Sequence, residues 1–327
     1  MKPMTQSQTK DRRTTQLLRR LRGRLFRATR LLDQPDTPWR RRHLLDSLAC
    51  HGERVVSSAG NVLQLKVRIS YGAANAASGL IFPGGEPIRP SDLKAMSKVI
   101  RVAGLSRTTL NRLVVLDTET TGLLDEPGTV AFLVGLGQFE KKAFLIEQFF
   151  MEDYESEPAM MRMLARQMRR FRAILTYNGS AFDLPLLRRR FGLQRMSQNA
   201  WKRPHWDVLP TARCLWSRRV RSCSLIGLEA EVFGFHRTRD IESNRIPQVY
   251  RDYLGGRRAE RLAAVFDHNA QDILTTAALA LTLARTFLAP REALARGIAD
   301  EASLARFLER VTCDEKRAYV PSRPTTF

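Results

Sequence analysis

Apolar and polar positions fall into short, regular blocks along most of this chain. Residues 62–69 place Leu63, Leu65, Val67 and Ile69 on one side and Gln64, Lys66 and Arg68 on the other, the period of two expected of a half-buried strand. With Val55 and Val56 ahead of a Gly60-Asn61 turn signal, this predicts a β-hairpin. The stretch 113–123 reads L-V-V-L-D-T-E-T-T-G-L: a buried strand that stops where acids appear. Strands at 130–139 and 143–150 follow, separated by the charged turn Glu140-Lys141-Lys142, and complete a three-strand meander. Ser156 and Glu157-Pro158 give a cap and a helix start, and Met161, Leu164, Met168 and Phe171 share one helical face as core. A buried strand at 173–177 ends at Asn178-Gly179, and a helix at 182–191 carries Asp183 near its start. An Ala- and Leu-rich run at 258–288 is helical, and shorter helices are expected at 93–102 and 300–311. Strand, strand, strand, helix, strand, helix is the order of an α/β protein.

The N-terminal pattern differs. Residues 10–30 hold nine basic side chains and one acid, with Leu17, Leu21, Leu25, Ala28 and Leu32 at helical spacing. This basic amphipathic helix fits a nucleic-acid arm, a partner-docking helix, or a solvated helix whose leucines pack on the domain. A membrane-surface role fits least, because the apolar stripe is thin and Phe26 is its one aromatic. Pro35 and Pro38 end the element.

Composition adds a partner class. The 327 residues include 54 basic and 33 acidic side chains, a formal net charge of +21, with 43% hydrophobic content for a real core. Residues 1–110 hold 21 basic against 7 acidic, net +14, which leaves 33 against 26, net +7, for the rest. Such an excess attracts polyanions, nucleic acid first, and a basic leader would raise affinity and guide a strand. Cys50, Cys214, Cys223 and Cys313 form no C-x-x-C pair, which argues against structural zinc. No apolar run approaches a membrane span and no secretory core opens the chain. The expectation is a soluble protein of a reducing, cytoplasmic compartment; an Arg-rich, acid-poor start also fits an organelle transit peptide.

The candidate chemistry is carboxylate. Asp117 and Glu119, at i and i+2 of a strand end, project to the same side; an isolated pair of this kind also fits an ordinary polar turn. Asp183 sits just past another strand end, in Y-N-G-S-A-F-D-L-P, where α/β proteins hold ligands. His268 and Asp272 lie one helical turn apart, a spacing that also fits a surface pair or a satisfied core histidine. Four carboxylates in one cleft repel, so protonation or metal must neutralise them. Hard oxygen ligands point to two Mg²⁺ or Mn²⁺ ions, which suit phosphodiester cleavage. His268 has the chemistry to take a proton from water.

Taken together, L-D-T-E-T-T-G-L, G-T-V-A-F-L-V-G-L-G, L-T-Y-N-G-S-A-F-D-L-P-L-L, Asp207-Val208-Leu209, S-C-S-L-I-G-L-E and H-N-A-Q-D-I-L resemble the YprB-like branch of the DEDD exonuclease group, in the ribonuclease H-like superfamily. The resemblance spans roughly residues 112–285, and less specifically the hairpin before it. It implies a mixed sheet flanked by helices, with Asp117, Glu119, Asp183 and Asp272 as metal ligands and His268 as general base. Thr120 and Leu123 fall where relatives touch the terminal nucleotide, and Asn178 where they face the substrate with a polar group. For Leu123 a core position, and for Asn178 a turn-closing role, also fit. Asp207 fits a helix cap, and Trp201, Trp206 and Trp216 fit base stacking or packing. The third motif departs from the group: a histidine stands at the spacing of its tyrosine-type members.

The resulting expectation is a metal-dependent 3′–5′ exonuclease on single-stranded DNA or RNA ends. An endonuclease or structure-selective nuclease with the same site, or a nucleic-acid-binding module without turnover, are the alternatives. The expected organisation is a basic arm (1–40), a small module with the hairpin (41–110), the ribonuclease H-like domain (111–288) and a helical tail (289–327).

Overall fold

The computed structural model describes residues 52–57, 60–71, four positions between 91 and 96, and 108–318 apart from Asp125, Thr238, Arg239 and Arg258. The basic helix expected at 10–30 and most of the helix expected at 93–102 lie outside the described residues.

One seven-stranded sheet organises the rest. Strands β1 (Gly52–Ser57), β2 (Gly60–Ser70), β3 (Leu113–Thr120), β4 (Ala131–Phe139), β5 (Ala143–Met151), β6 (Ala173–Thr176) and β7 (His205–Asp207) stand in the order β1-β2-β5-β4-β3-β6-β7. The meander β3-β4-β5 is antiparallel, whereas β6 runs parallel to β3 and β7 parallel to β6. The sheet is therefore mixed, and helices cover it, as expected for a ribonuclease H-like fold.

The hairpin extends the same sheet, because β2 pairs with β5 from Val62↔Met151 to Ser70↔Ala143. Its turn is pinned as well. Gly60 has φ of +124°, and a Cβ there would lie 2.3 Å from the Ser156 backbone; beside it, the Asn61 amide donates to the Ser156 hydroxyl at 2.8 Å.

Alternation along β3 divides the core. Val114 and Leu116 pack with Leu164, Met168, Leu187 and Phe191 from helices α1 (Glu157–Met168) and α2 (Asp183–Leu193). On the other side, Leu113 and Val115 pack with residues of α3 (Val208–Trp216) and α6 (Leu262–Leu288), among them Ala212, Leu215, Ile273 and Leu274. Helices α4 (Leu225–Phe233) and α5 (Ile246–Leu254) lie between them in sequence, and α7 (Pro290–Ala295) and α8 (Glu301–Ala318) follow. Met161 and Phe171 are buried as expected. Trp201, Trp206 and Trp216 are buried too, which makes all three packing residues rather than stacking platforms.

Candidate active site

The site forms where β3 ends. Asp117 and Glu119 lie on the side of β3 that faces α6, following Leu113 and Val115 in the strand's alternation. α6 comes unusually close here, because β4 presents glycines to it. A Cβ on Gly135 would stand 2.3 Å from both Asn269 Oδ1 and Ile273 Cδ1, and one on Gly137 2.5 Å from Ile273 Cγ2. Gly135 is the β4 partner of Asp117. The close approach brings the Asn269 side-chain amide to Asp117 Oδ2, to which it donates at 2.7 Å. Gln148 on β5 fixes Asn269 in turn, donating to its Oδ1 at 2.9 Å.

Asp183 opens α2 after the loop that follows β6. Asp207 builds that loop: its carboxylate accepts from the backbone amides of Asn178 at 2.7 Å and Ser180 at 3.1 Å, from the Ser180 hydroxyl, and from Leu209 N at the start of α3. Asp207 is thus the helix cap expected and a clasp on the loop besides. Asn178 has φ of +65°, a left-handed conformation that asparagine tolerates well. At the far end of the loop, Thr118 donates its hydroxyl to Asp183 Oδ1 at 2.6 Å. Thr118 alternates with the two acids, so Asp183 meets β3 through the face opposite theirs.

The last contribution comes from α6. Both His268 and Asp272 face a cluster built by the segment after α4. His268 Nδ1 lies 2.6 Å from Asp240 Oδ1, and its Nε2 lies 3.5 Å from Asp272 Oδ2 and 3.4 Å from Ser243 Oγ. Arg237 donates to Asp272 Oδ1 at 2.5 Å, to Asp240 at 3.0 Å and to both oxygens of Glu229.

Electrostatics ties these groups together. Burial, then the charges of Asp272 and Asp183, hold the Asp117 carboxyl well above the ordinary carboxylate range. Burial and the charges of Asp117, Asp272 and Asp183 do the same for Glu119. Among the described residues no hydrogen bond reaches the Glu119 carboxyl. Asp183 is pushed up to about 6, mainly by burial, with the Thr118 hydrogen bond opposing. Burial lowers the His268 pKa, but the Asp240 hydrogen bond and the Asp272 charge outweigh it and leave the imidazole more basic than usual.

These acids fit a hard divalent cation in kind: carboxylates in mutual electrostatic reach, with no thiolate among them, of which Asp272 is paired with Arg237. Among the described residues, however, no three His, Cys, Asp or Glu side chains already converge to hold an ion. Three of the acids have protein partners instead: Asn269 holds Asp117, Thr118 holds Asp183 and Arg237 holds Asp272.

With this geometry in place, comparison with known proteins is decisive at the level of family. A family model described as the RNase_H superfamily matches residues 114–284, just over half of the chain. The chain belongs to the RNase H superfamily. Over 215 residues the chain is 29% identical to the uncharacterized protein YprB of Bacillus subtilis strain 168, which covers 62% of this chain and 51% of that protein. The chain thus spans about half the length of this relative, and the motifs' resemblance to YprB-like proteins has its counterpart there. A family B DNA polymerase from the hyperthermophilic archaeon Pyrobaculum calidifontis aligns with 80% of this chain and 49% of its own, at 10% identity and a TM-score of 0.41. Among the described residues no helix is long and apolar enough to cross a membrane.

The three residues expected to touch substrate in this RNase H superfamily member fare differently. Leu123 is 68% exposed, so its core reading is set aside. Thr120 spends its hydroxyl on the Gly122 carbonyl at 2.7 Å, within the loop that carries Leu123. The Asn178 backbone serves the turn, as described above. Phe182, next to Asp183, is a further large apolar side chain that is half exposed. The residues not anticipated are Asn269, Thr118, Glu229, Arg237 and Asp240. Thr118, Asn269 and Glu229 stood inside quoted motifs without a role. Arg237 and Asp240 lie in a polar stretch whose partners are remote in sequence.

Proposed function

We propose that the chain is a metal-dependent nuclease, a 3′–5′ exonuclease acting on single-stranded DNA or RNA ends. The observation that carries this reading is the group of four acids, buried Glu119 and Asp183 with partly buried Asp117 and Asp272, within electrostatic reach of one another where α6 crosses the end of β3. Such a concentration of carboxylates costs stability unless cations offset it. Two Mg²⁺ or Mn²⁺ ions held by these four side chains would supply charge neutralisation at a phosphodiester and a more acidic bound water.

The chain's own residues do the rest. Exposed Leu123 and Phe182 lie in sequence shortly after Glu119 and just before Asp183, on loops that leave β3 and β6, where they can cover the bases of a strand end. Thr120 fixes the Leu123 loop through Gly122, and Arg251 does so through the Thr121 carbonyl at 3.1 Å. Asn178 and Asp207 fix the loop that delivers Asp183. In the reaction, water adds to phosphorus, the bond to the preceding nucleotide's oxygen breaks, and a nucleoside monophosphate leaves.

For His268 we favour positioning over proton transfer. It is buried, one nitrogen is engaged by Asp240, and the other is turned to Asp272 and Ser243 rather than to an open cleft. Its place in the tyrosine-type spacing agrees with that.

A second reading has support of its own. The pairing of Asp272 with Arg237, and the lack of three converged acids among the described residues, also suit a nucleic-acid-binding module without turnover. A 5′-labelled single strand, compared with a circular and a 3′-blocked one, tests the proposal. Stepwise shortening of the free linear strand alone supports the exonuclease; cleavage of the circle supports an endonuclease; a mobility shift without cleavage supports the binding module.

A further inference from the structure

Arg237 is a buried cation beside an acid that the proposed reaction needs. Only 7% of its side chain is exposed. Its Nε and Nη2 fork onto the two oxygens of Glu229 at 2.7 Å each, Nη2 also donates to Asp272 Oδ1 at 2.5 Å, and Nη1 donates to Asp240 Oδ2 at 3.0 Å. Four of the guanidinium's five N–H groups are thus committed to carboxylates. Glu229 is fully buried and also accepts from the Thr275 hydroxyl, so the fork end of Arg237 is anchored independently of Asp272.

The other held acids differ. Asp117 and Asp183 are held by a neutral amide and a neutral hydroxyl, which a divalent ion would not repel. An ion beside Asp272 would meet the Arg237 charge at short range, where burial leaves little screening. The second Asp272 oxygen offers no clear alternative, since it faces His268 Nε2 at 3.5 Å.

We infer that Arg237 is a resident counter-cation that competes with a divalent ion for Asp272 and thereby keeps ion affinity low. Glu229 and Asp240 retain the guanidinium when Asp272 turns to the ion. A bound phosphodiester adds negative charge next to the ion, so loading is favoured when substrate is present. The inference rests on the metal-dependent reading above, and names a positioning residue for it.

The test is Mn²⁺ binding to the chelator-treated full chain without nucleic acid, followed by the paramagnetic resonance of free Mn²⁺. Four proteins are compared: wild type, Asp117→Asn, Glu229→Gln, and Glu229→Gln combined with Arg237→Gln, in which the fully buried Glu229 carboxylate is neutralised together with the cation that pairs with it. The double variant should bind Mn²⁺ about tenfold or more tighter than Glu229→Gln alone, or about 1.4 kcal/mol. Equal or weaker binding overturns the inference. Should the double variant not fold, nitrogen-15 spectra of wild-type arginine side chains decide: the Arg237 Nε–H signal, assigned with Arg237→Lys, should shift on Mg²⁺ addition, and an unmoved signal at saturating Mg²⁺ overturns the inference. Wild-type binding that is sensitive to Asp117→Asn but indifferent to Arg237 sinks this inference alone. Absence of any Asp117-sensitive binding sinks the metal-dependent reading together with it.

Discussion

Asn269 donates its side-chain amide to Asp117 at 2.7 Å, reaching it across Gly135, the residue that pairs with Asp117 on β4. One hydrogen bond thus joins the first acid of the site to the helix that brings the last.

Gly135→Ala tests that link. The added methyl has no room against Asn269 and Ile273, and overpacking of this kind costs about 1–3 kcal/mol. Denaturant unfolding should show such a loss, and cleavage should fall further than the folded fraction does, because α6 carries Asp272. A variant of wild-type stability and activity would contradict the close-approach account.

Stability should depend on pH in a definite direction. Asp117, Glu119 and Asp183 hold protons more tightly in the folded chain than the ordinary values for their side chains. Each stabilises fully below its unfolded pKa, and that stabilisation is lost as pH rises through the folded value. For Asp183 the window runs from 3.8 to about 6, and the other two extend it upward. His268, raised from 6.5, acts in the same direction at higher pH. Asp240, held below 3.8, and His205, lowered from 6.5 by burial, oppose them: their stabilisation is present above 3.8 and 6.5 respectively and is lost as pH falls through the folded values. With chelator present, unfolding free energy should therefore fall between pH values of about 4 and 7, with a shallower slope in Asp117→Asn. A slope of opposite sign would contradict the electrostatic account.

Much of this was legible along the chain, for physical reasons. Alternation revealed β2, a run of consecutive apolar residues revealed β3, and helical spacing placed Met161 and Leu164 in the core. The RNase H-type fold followed from motifs that report backbone turns and acids together. That β2 pairs with β5 was not legible, because alternation marks a buried face but names no neighbour. Gly135 was visible, but what a glycine admits depends on the helix laid over it. Arg237 and Asp240 carry no periodic signal; their importance comes from burial against Glu229 and Asp272, which folding alone creates.

His268→Gln separates positioning from proton transfer. Loss of a general base costs about 10²–10⁴-fold in rate, with loss of a step in the pH–rate profile. The positioning role predicts a drop of about tenfold or less, uniform across pH, as both partners of the imidazole remain.

Leu123→Ala should leave stability within about 0.5 kcal/mol, because the side chain is exposed. If Leu123 covers a terminal base, losing roughly 1 kcal/mol of apolar contact should raise KM for single strands about fivefold with kcat nearly constant. A large stability loss with unchanged KM would mean that Leu123 serves the fold instead.

The central claim is that the Asp117, Glu119, Asp183 and Asp272 group supports metal-dependent phosphodiester cleavage. The most direct measurement is cleavage of end-labelled, matched single- and double-stranded DNA and RNA by the purified full chain, with Mg²⁺, with Mn²⁺ and with chelator, beside Asp117→Asn. The account predicts stepwise shortening of single strands that requires either ion and falls about 10²-fold or more in Asp117→Asn. Nucleic acid that is bound but left intact under every condition, or cleavage that Asp117→Asn leaves unchanged, would contradict it.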